Sequence, residues 1–276
     1  MIKLLRANLA RMFKTKLFWI CAAAALVLSF FNSVFKNMIL ASSSNGLSGE
    51  ESGFYGTIIL TIFITAVFSA LFLGTDYSDN TIRNKLVVGF ARTQIYFANL
   101  FAVTTGALGF AVSGTLGMLL KQATKKARVD LSEIAVGIIA CVFAIFADCS
   151  FFTLMSMMIT KKSSVVVWSL FITIGVYFGS AYISQRLNEK ELNYGSYYDE
   201  TIGDYTETGY YPNSRYVSGT KRAVMTTANN LTSFGSVFQA GSLEPDDALL
   251  LPLYSLTASA AVSAAGVLMF RKKDIK

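Results

Sequence analysis

Six long apolar stretches, separated by shorter polar segments, dominate the chain. A helix that crosses a membrane needs roughly 20 consecutive, mostly apolar residues. Residues 17–41, 54–73, 95–120, 134–159, 165–183 and 249–270 each meet that need. The third carries the small residues Gly106, Gly109, Ser113, Gly114 and Gly117, which allow close helix contact within the chain or at a dimer seam. The fourth holds one acid, Asp148. Ahead of them, residues 1–16 are too short to span. Ile2, Leu5, Leu9, Met12 and Phe13 fall at helical spacing on one side, with Lys3, Arg6, Asn8 and Lys14 mostly elsewhere. That pattern predicts an amphipathic helix lying in the membrane interface. The segment 184–248 is too polar to span and too long for a tight turn. It has seven tyrosines between Tyr194 and Tyr216, and its more apolar part, 223–240, predicts short helices dipping into the membrane face. The expected fold is an all-α polytopic membrane protein of six transmembrane helices forming one domain, 1–276.

Composition agrees. The chain of 276 residues is 53% hydrophobic and 15% charged, with mean hydropathy +0.49; a soluble domain carries about 25% charged residues. With no histidine there is no Ser-His-Asp triad, HExxH zinc site or imidazole relay. Cys21, Cys141 and Cys149 all lie in apolar runs, outside any CxxC pair. The first apolar stretch is too long for a signal peptide and lacks a small-x-small cleavage site before Ser42.

The formal charge of +7 sorts by position. Lys3, Arg6, Arg11, Lys14 and Lys16 precede the first span. Arg83, Lys85 and Arg92 follow the second, Lys161 and Lys162 the fourth, and Arg271, Lys272 and Lys273 the sixth. Alternating spans bring all four groups to one side, and the positive-inside rule makes that side, with both termini, cytoplasmic. Lys121, Lys125, Lys126 and Arg128 run against this rule and stand as an exception. The charge is therefore a topology signal, and no nucleic-acid partner is expected.

Between the second and third spans, residues 74–94 contain a helix signal. Asp79 or Asn80 can cap a helix from Thr81, with Ile82, Leu86 and Val87 on its apolar side, Arg83, Asn84 and Lys85 on its polar side, and Gly89 at its end. The stretch Asp76-Tyr77-Ser78-Asp79-Asn80-Thr81-Ile82-Arg83-Asn84-Lys85-Leu86, followed by Gly89-Phe90-Ala91-Arg92, resembles the cytoplasmic loop of ABC-2 type permeases, the membrane subunits of bacterial ABC exporters. In the Firmicute subgroup that loop reads Glu-Tyr-Ser-Asp-Gly-Thr-Ile-Arg-Asn-Lys-Leu. This chain departs from it at Asp76, at Asn80, where Asn tolerates the left-handed backbone of Gly, and at Phe90-Ala91. The basic N-terminal segment, the six spans, the long loop with Asn213–Gly219 and the basic end extend the likeness over the whole chain.

The resemblance implies a permease subunit of the bacterial cell membrane that exports a hydrophobic or amphipathic substrate such as a peptide, toxin or antibiotic. The short helix would be a coupling helix seated on a separate ATPase subunit. Asp76, Asp79, Thr81, Ile82, Arg83, Asn84 and Lys85 would form the coupling set, with Asp76 at the joint to the second span. No GxxxxGK[ST] phosphate loop occurs in the chain. ATP and Mg would sit on the ATPase partner, and this chain would hold no cofactor or metal and would not itself be an enzyme. Six spans make half a transporter, so a second permease copy or a paralogue is expected, in contact with membrane lipids. A carboxylate at the depth of Asp148 costs about 2.5–3.5 kcal/mol. Asp148 is thus a candidate pathway residue for a cationic or polar substrate, or a structural hydrogen-bonding group with Ser150 and Thr153 nearby. Two alternatives remain open: a sensor or immunity subunit that binds its ligand at the long outer loop, and an ion-coupled secondary transporter, which would call for more ionisable residues within the spans.

Overall fold

The computed structural model describes residues 1–40, 51–79, 81–123, 131–199, 204–242 and 249–273. The chain is mostly helical: α1 (Ile2–Lys14), α2 (Lys16–Leu40), α3 (Glu51–Ser78), α4 (Thr81–Val87), α5 (Arg92–Ala123), α6 (Leu131–Met158) and α7 (Lys162–Leu187). A hairpin of β1 (Leu192–Asp199) and β2 (Asp204–Pro212) follows, then α8 (Gly219–Asn230), α9 (Ser233–Ala240) and α10 (Leu251–Lys272). Among the described residues, six helices are long and apolar enough to cross a membrane: α2, α3, α5, α6, α7 and α10. This is a multi-pass membrane protein.

Apolar side chains cover the outside of the bundle as well as filling its core, where Phe68, Phe110 and Phe152 are buried. Trp19, Phe31, Trp168, Phe171, Phe178, Leu253 and Leu268 are exposed, facing the space that lipid fills. Small and hydroxyl side chains share the interior with that core. Thr57, Thr61, Thr65 and Ser69 form a buried stripe on α3, and Ser255, Ser259, Ser263 and Gly266 form another on α10. A buried hydroxyl is tolerated where it is bonded. Thr57, Thr61 and Thr65 each donate to the carbonyl one turn back, at 2.8–3.0 Å, and Ser69 donates to Ala66 at 3.1 Å. With lipid tails as apolar as leucine, close backbone approach is what holds spans together. The small residues of α5 serve that purpose within the chain. Ser113 donates to the Ala22 carbonyl of α2 at 2.8 Å. A methyl on Gly114 would press on Thr57 Cγ2 and Ser29 Oγ, and one on Gly117 would fall on the Leu26 carbonyl.

The second span does not stop at residue 73. α3 continues to Ser78 and carries Asp76 inside the bundle, because that acid is neutralised there. The expected 74–94 loop is correspondingly reduced to α4 and two short turns. The all-α expectation also fails at 192–212, where the tyrosine-rich segment pairs as an antiparallel hairpin with a register shift between Gly195 and Ser196. Tyr194 opposes Tyr210 with ring centroids 5.4 Å apart, and such aromatic cross-strand pairs stabilise a sheet. After the hairpin, α8 leads to α9, whose Phe234, Val237 and Gln239 are buried against the bundle. Of the anomalous basic residues, Lys121 is buried at the end of α5; Lys125, Lys126 and Arg128 lie outside the described residues.

Candidate functional site

At one end of the bundle, α1 and α4 pack across the ends of the spans. The inward face of α1 is Leu4, Asn8 and Met12, one residue per turn. Ile2 and Phe13, expected on the apolar face, are exposed. Thr15 ends α1 in an extended conformation, its hydroxyl donating to the Arg11 and Met12 carbonyls at 2.8 Å each.

This arrangement gathers polar groups around Asp76, which is fully buried. Arg11 of α1 pairs with Asp76 Oδ1 and lies over the Phe72 ring at 4.3 Å. Lys85 of α4 pairs with Oδ2 at 3.0 Å and donates to Asn8 Oδ1 at 3.3 Å. Thr81, the first residue of α4, donates to Oδ1 at 2.9 Å. Asn99 of α5 donates to Oδ2 at 3.4 Å and accepts from Asn8 Nδ2 at 2.7 Å. A carboxylate removed from water requires such compensation. Burial pushes the Lys85 ammonium below its ordinary value, and the Asp76 carboxylate opposes that shift. The cluster joins α1, α3, α4 and α5 through one side chain.

A second set of bonds extends this end. Arg92, at the start of α5, donates to the carbonyls of Phe270 at 2.9 Å, Arg271 at 3.0 Å and Lys273, satisfying the end of α10. Lys273 donates to Tyr77 Oη at 3.0 Å and to the Met157 carbonyl at 2.7 Å, and lies 4.1 Å above the Tyr77 ring. Tyr77 donates to the same Met157 carbonyl at 2.5 Å.

The candidate coupling residues divide into two groups. Asp76, Thr81 and Lys85 belong to the internal cluster. Ile82, expected at a contact surface, is 1% exposed and packs into the core instead. Asp79 is exposed and accepts from Ser78 Oγ at 2.9 Å; Asn80 lies outside the described residues. The outward surface is Arg83, Asn84, Val87 and Val88, the two valines 79% and 74% exposed. Gly89, at φ +96°, turns the chain after them. The sequence sets Val87 on the apolar side with Ile82 and Leu86, yet it stands bare; Val88 was missed, although a second β-branched residue just beyond the helix was a visible signal. The sequence puts Asn8 on the polar side of the first helix and Arg11 among the topology-setting cations, so neither is marked as a partner of Asp76, and Asn99 was missed as a polar residue in an apolar run.

Asp148 lies apart from this end, buried near the middle of the α6 span. It lines a cavity of about 200 Å³ between α6, α7, α10 and the α8–α9 turn. Of the two hydroxyls considered as its partners, Ser150 donates to the Phe146 carbonyl at 2.9 Å instead, and the Thr153 hydroxyl is buried without a partner among the described residues. Among the described residues, no group of three or more acids, cysteines or histidines has metal-ligand geometry. No protein-family model matches the chain, and no curated protein matches it.

Proposed function

We propose that this chain is the permease subunit of an ATP-driven exporter, with α4 as the helix on which a separate ATPase subunit docks. The observation that carries the reading is the two-sided character of α4. Outside the spans, its outer face and the residue that follows it offer two bare valines, Val87 and Val88, beside Arg83 and Asn84, the apolar-plus-cationic pattern that a groove on a soluble partner accepts. Its inner face is bonded through Asp76 to α1, α3 and α5. Force applied to the outer face would therefore reach three helices at once.

Charge supports the orientation. The end built from α1, α4 and the tail of α10 gathers Lys3, Arg6, Lys14, Arg83, Arg92, Arg271 and Lys272, which favours the cytoplasm. On this reading the hairpin faces outward, and α1 rests in the inner interface with Ile2 and Phe13 in the acyl layer. The second permease copy would complete the path, and an apolar body suits a hydrophobic or amphipathic cargo.

The test is co-purification with a P-loop ATPase encoded beside this chain. Arg83→Glu combined with Val88→Asp is expected to abolish both the complex and the stimulation of ATP hydrolysis while leaving thermal unfolding unchanged. Retention of the complex by that variant refutes the docking role. Ile82→Asp would destabilise the fold and is unsuited to the question.

A further inference from the structure

Asp148 combines burial, an open cavity and an unmet bonding demand. Among the described residues, nothing donates to its Oδ2. Two of the three hydroxyls lining the cavity are committed elsewhere. Thr173 donates to the Ser169 carbonyl at 2.6 Å. Thr232 donates to the Asn229 carbonyl at 2.7 Å, pairs with Ser180 at 2.9 Å and accepts from the Gly235 amide at 3.0 Å. The α8–α9 turn that forms this wall is tightly set, since a methyl on Gly235 would fall on the Asn229 carbonyl. Neither of those two hydroxyls bonds the acid; Ser233 is the third hydroxyl of the lining.

The rest of the lining is apolar and aromatic, with Phe151, Phe152 and Phe234 among it, and holds no second charged side chain. A carboxylate in so apolar a site is costly unless it takes up a proton or a cation joins it, and of the two only a cation also fills the cavity. Aromatic rings favour an organic cation over a hydrated inorganic one. The size sets a further limit. Apolar cavities of ~150 Å³ hold benzene, and drug-sized ligands need about 300 Å³ or more. A cavity of about 200 Å³ suits a single ring or short chain bearing one ammonium group.

We infer that this cavity is a binding site for the ammonium end of an apolar organic cation, held by Asp148 at the middle of the membrane. The inference deepens the export reading by naming the charge class of the ligand and rests on that reading only for the movement of the ligand; binding itself requires no ATPase.

The experiment uses the full chain purified into phosphatidylcholine nanodiscs, titrated with phenethylammonium and with 2-phenylethanol, a neutral probe of similar shape. The cation should bind at least tenfold more tightly than the alcohol. Asp148→Asn should remove that preference while retaining the fold, and Val262→Phe, which fills the cavity, should weaken both probes. Equal affinities, no binding of either probe, or a preference that survives Asp148→Asn overturns the site. Co-purification of the ATPase is scored separately. Cation binding without an ATPase keeps the site and removes the export reading, and the converse result removes the site alone.

Discussion

Asp76→Asn is the sharpest test of how the α4 end is held together. The substitution keeps the shape and leaves an oxygen for the Thr81 hydroxyl, so the loss isolates the charge. Its consequence falls on two cations. The Lys85 side chain is 15% exposed and would remain buried without a counterion; Arg11 is 32% exposed and can turn toward water. Removing one member of a buried ion pair costs about 3–5 kcal/mol. Arg11 keeps its Phe72 contact, and although its Nε and Nη2 are buried without partners among the described residues, its side chain is the more exposed of the two and can turn toward water, so its share is the smaller. The lower end, about 3 kcal/mol, follows. At about 2–4 °C per kcal/mol for a chain of this size, the unfolding midpoint should fall by roughly 6–12 °C. The chain carries its own reporters: Cys21, Cys141 and Cys149 are buried and unpaired, so a thiol-reactive fluorophore labels them only as the bundle opens. Lys85→Met should cost less than Asp76→Asn, because Arg11 still answers the carboxylate, and Arg11→Met should cost least. A midpoint that moves by less than about 2 °C in Asp76→Asn, or a larger loss in Arg11→Met, refutes the reasoning.

Two further outcomes follow from packing and charge. Gly117→Ala places a methyl on the Leu26 carbonyl and should cost about 1–3 kcal/mol in the same unfolding assay, whereas Gly175→Ala, with open space around it, should cost far less. Burial pushes the Lys273 amine down to about 8, while a free lysine titrates near ~10.4. Between those values the undocked tail binds more protons, so docking should strengthen as pH rises from about 8 to about 10 and be weakest below 8. Protease cleavage at 271–273 should slow over that interval, and the dependence should vanish in Lys273→Met.

The spans were legible because lipid imposes a length and a hydropathy that local sequence alone can meet. Their limits were less so. An acid at 76 reads as the end of a helix, and only the distant Arg11 and Lys85 make it an interior residue; Arg11 lies 65 positions away. The direction of α4 was hidden for the same reason. Ile82 and Val88 are both apolar, and only the packing of α4 on the bundle separates the buried residue from the bare one. The hairpin escaped because its tyrosines alternate irregularly, broken by the shift at Gly195 and Ser196. Asp148 was conspicuous as an acid in an apolar run, but the cavity beside it is built partly by the α8–α9 turn, more than 80 positions along the chain, which no local pattern reveals.

The hydroxyl stripe of α3 has a mechanical corollary. From Thr57 to Ser69 each hydroxyl is satisfied by its own helix, so that face can slip against its neighbours without breaking a polar bond. At its base, Asp76 and Tyr77 are riveted to α1, α4, α5, the end of α6 and the tail of α10. A rod fixed at its foot and greased along its shaft is a lever, and any tilt of α3 would pivot about residue 76 and be widest at the end far from α4.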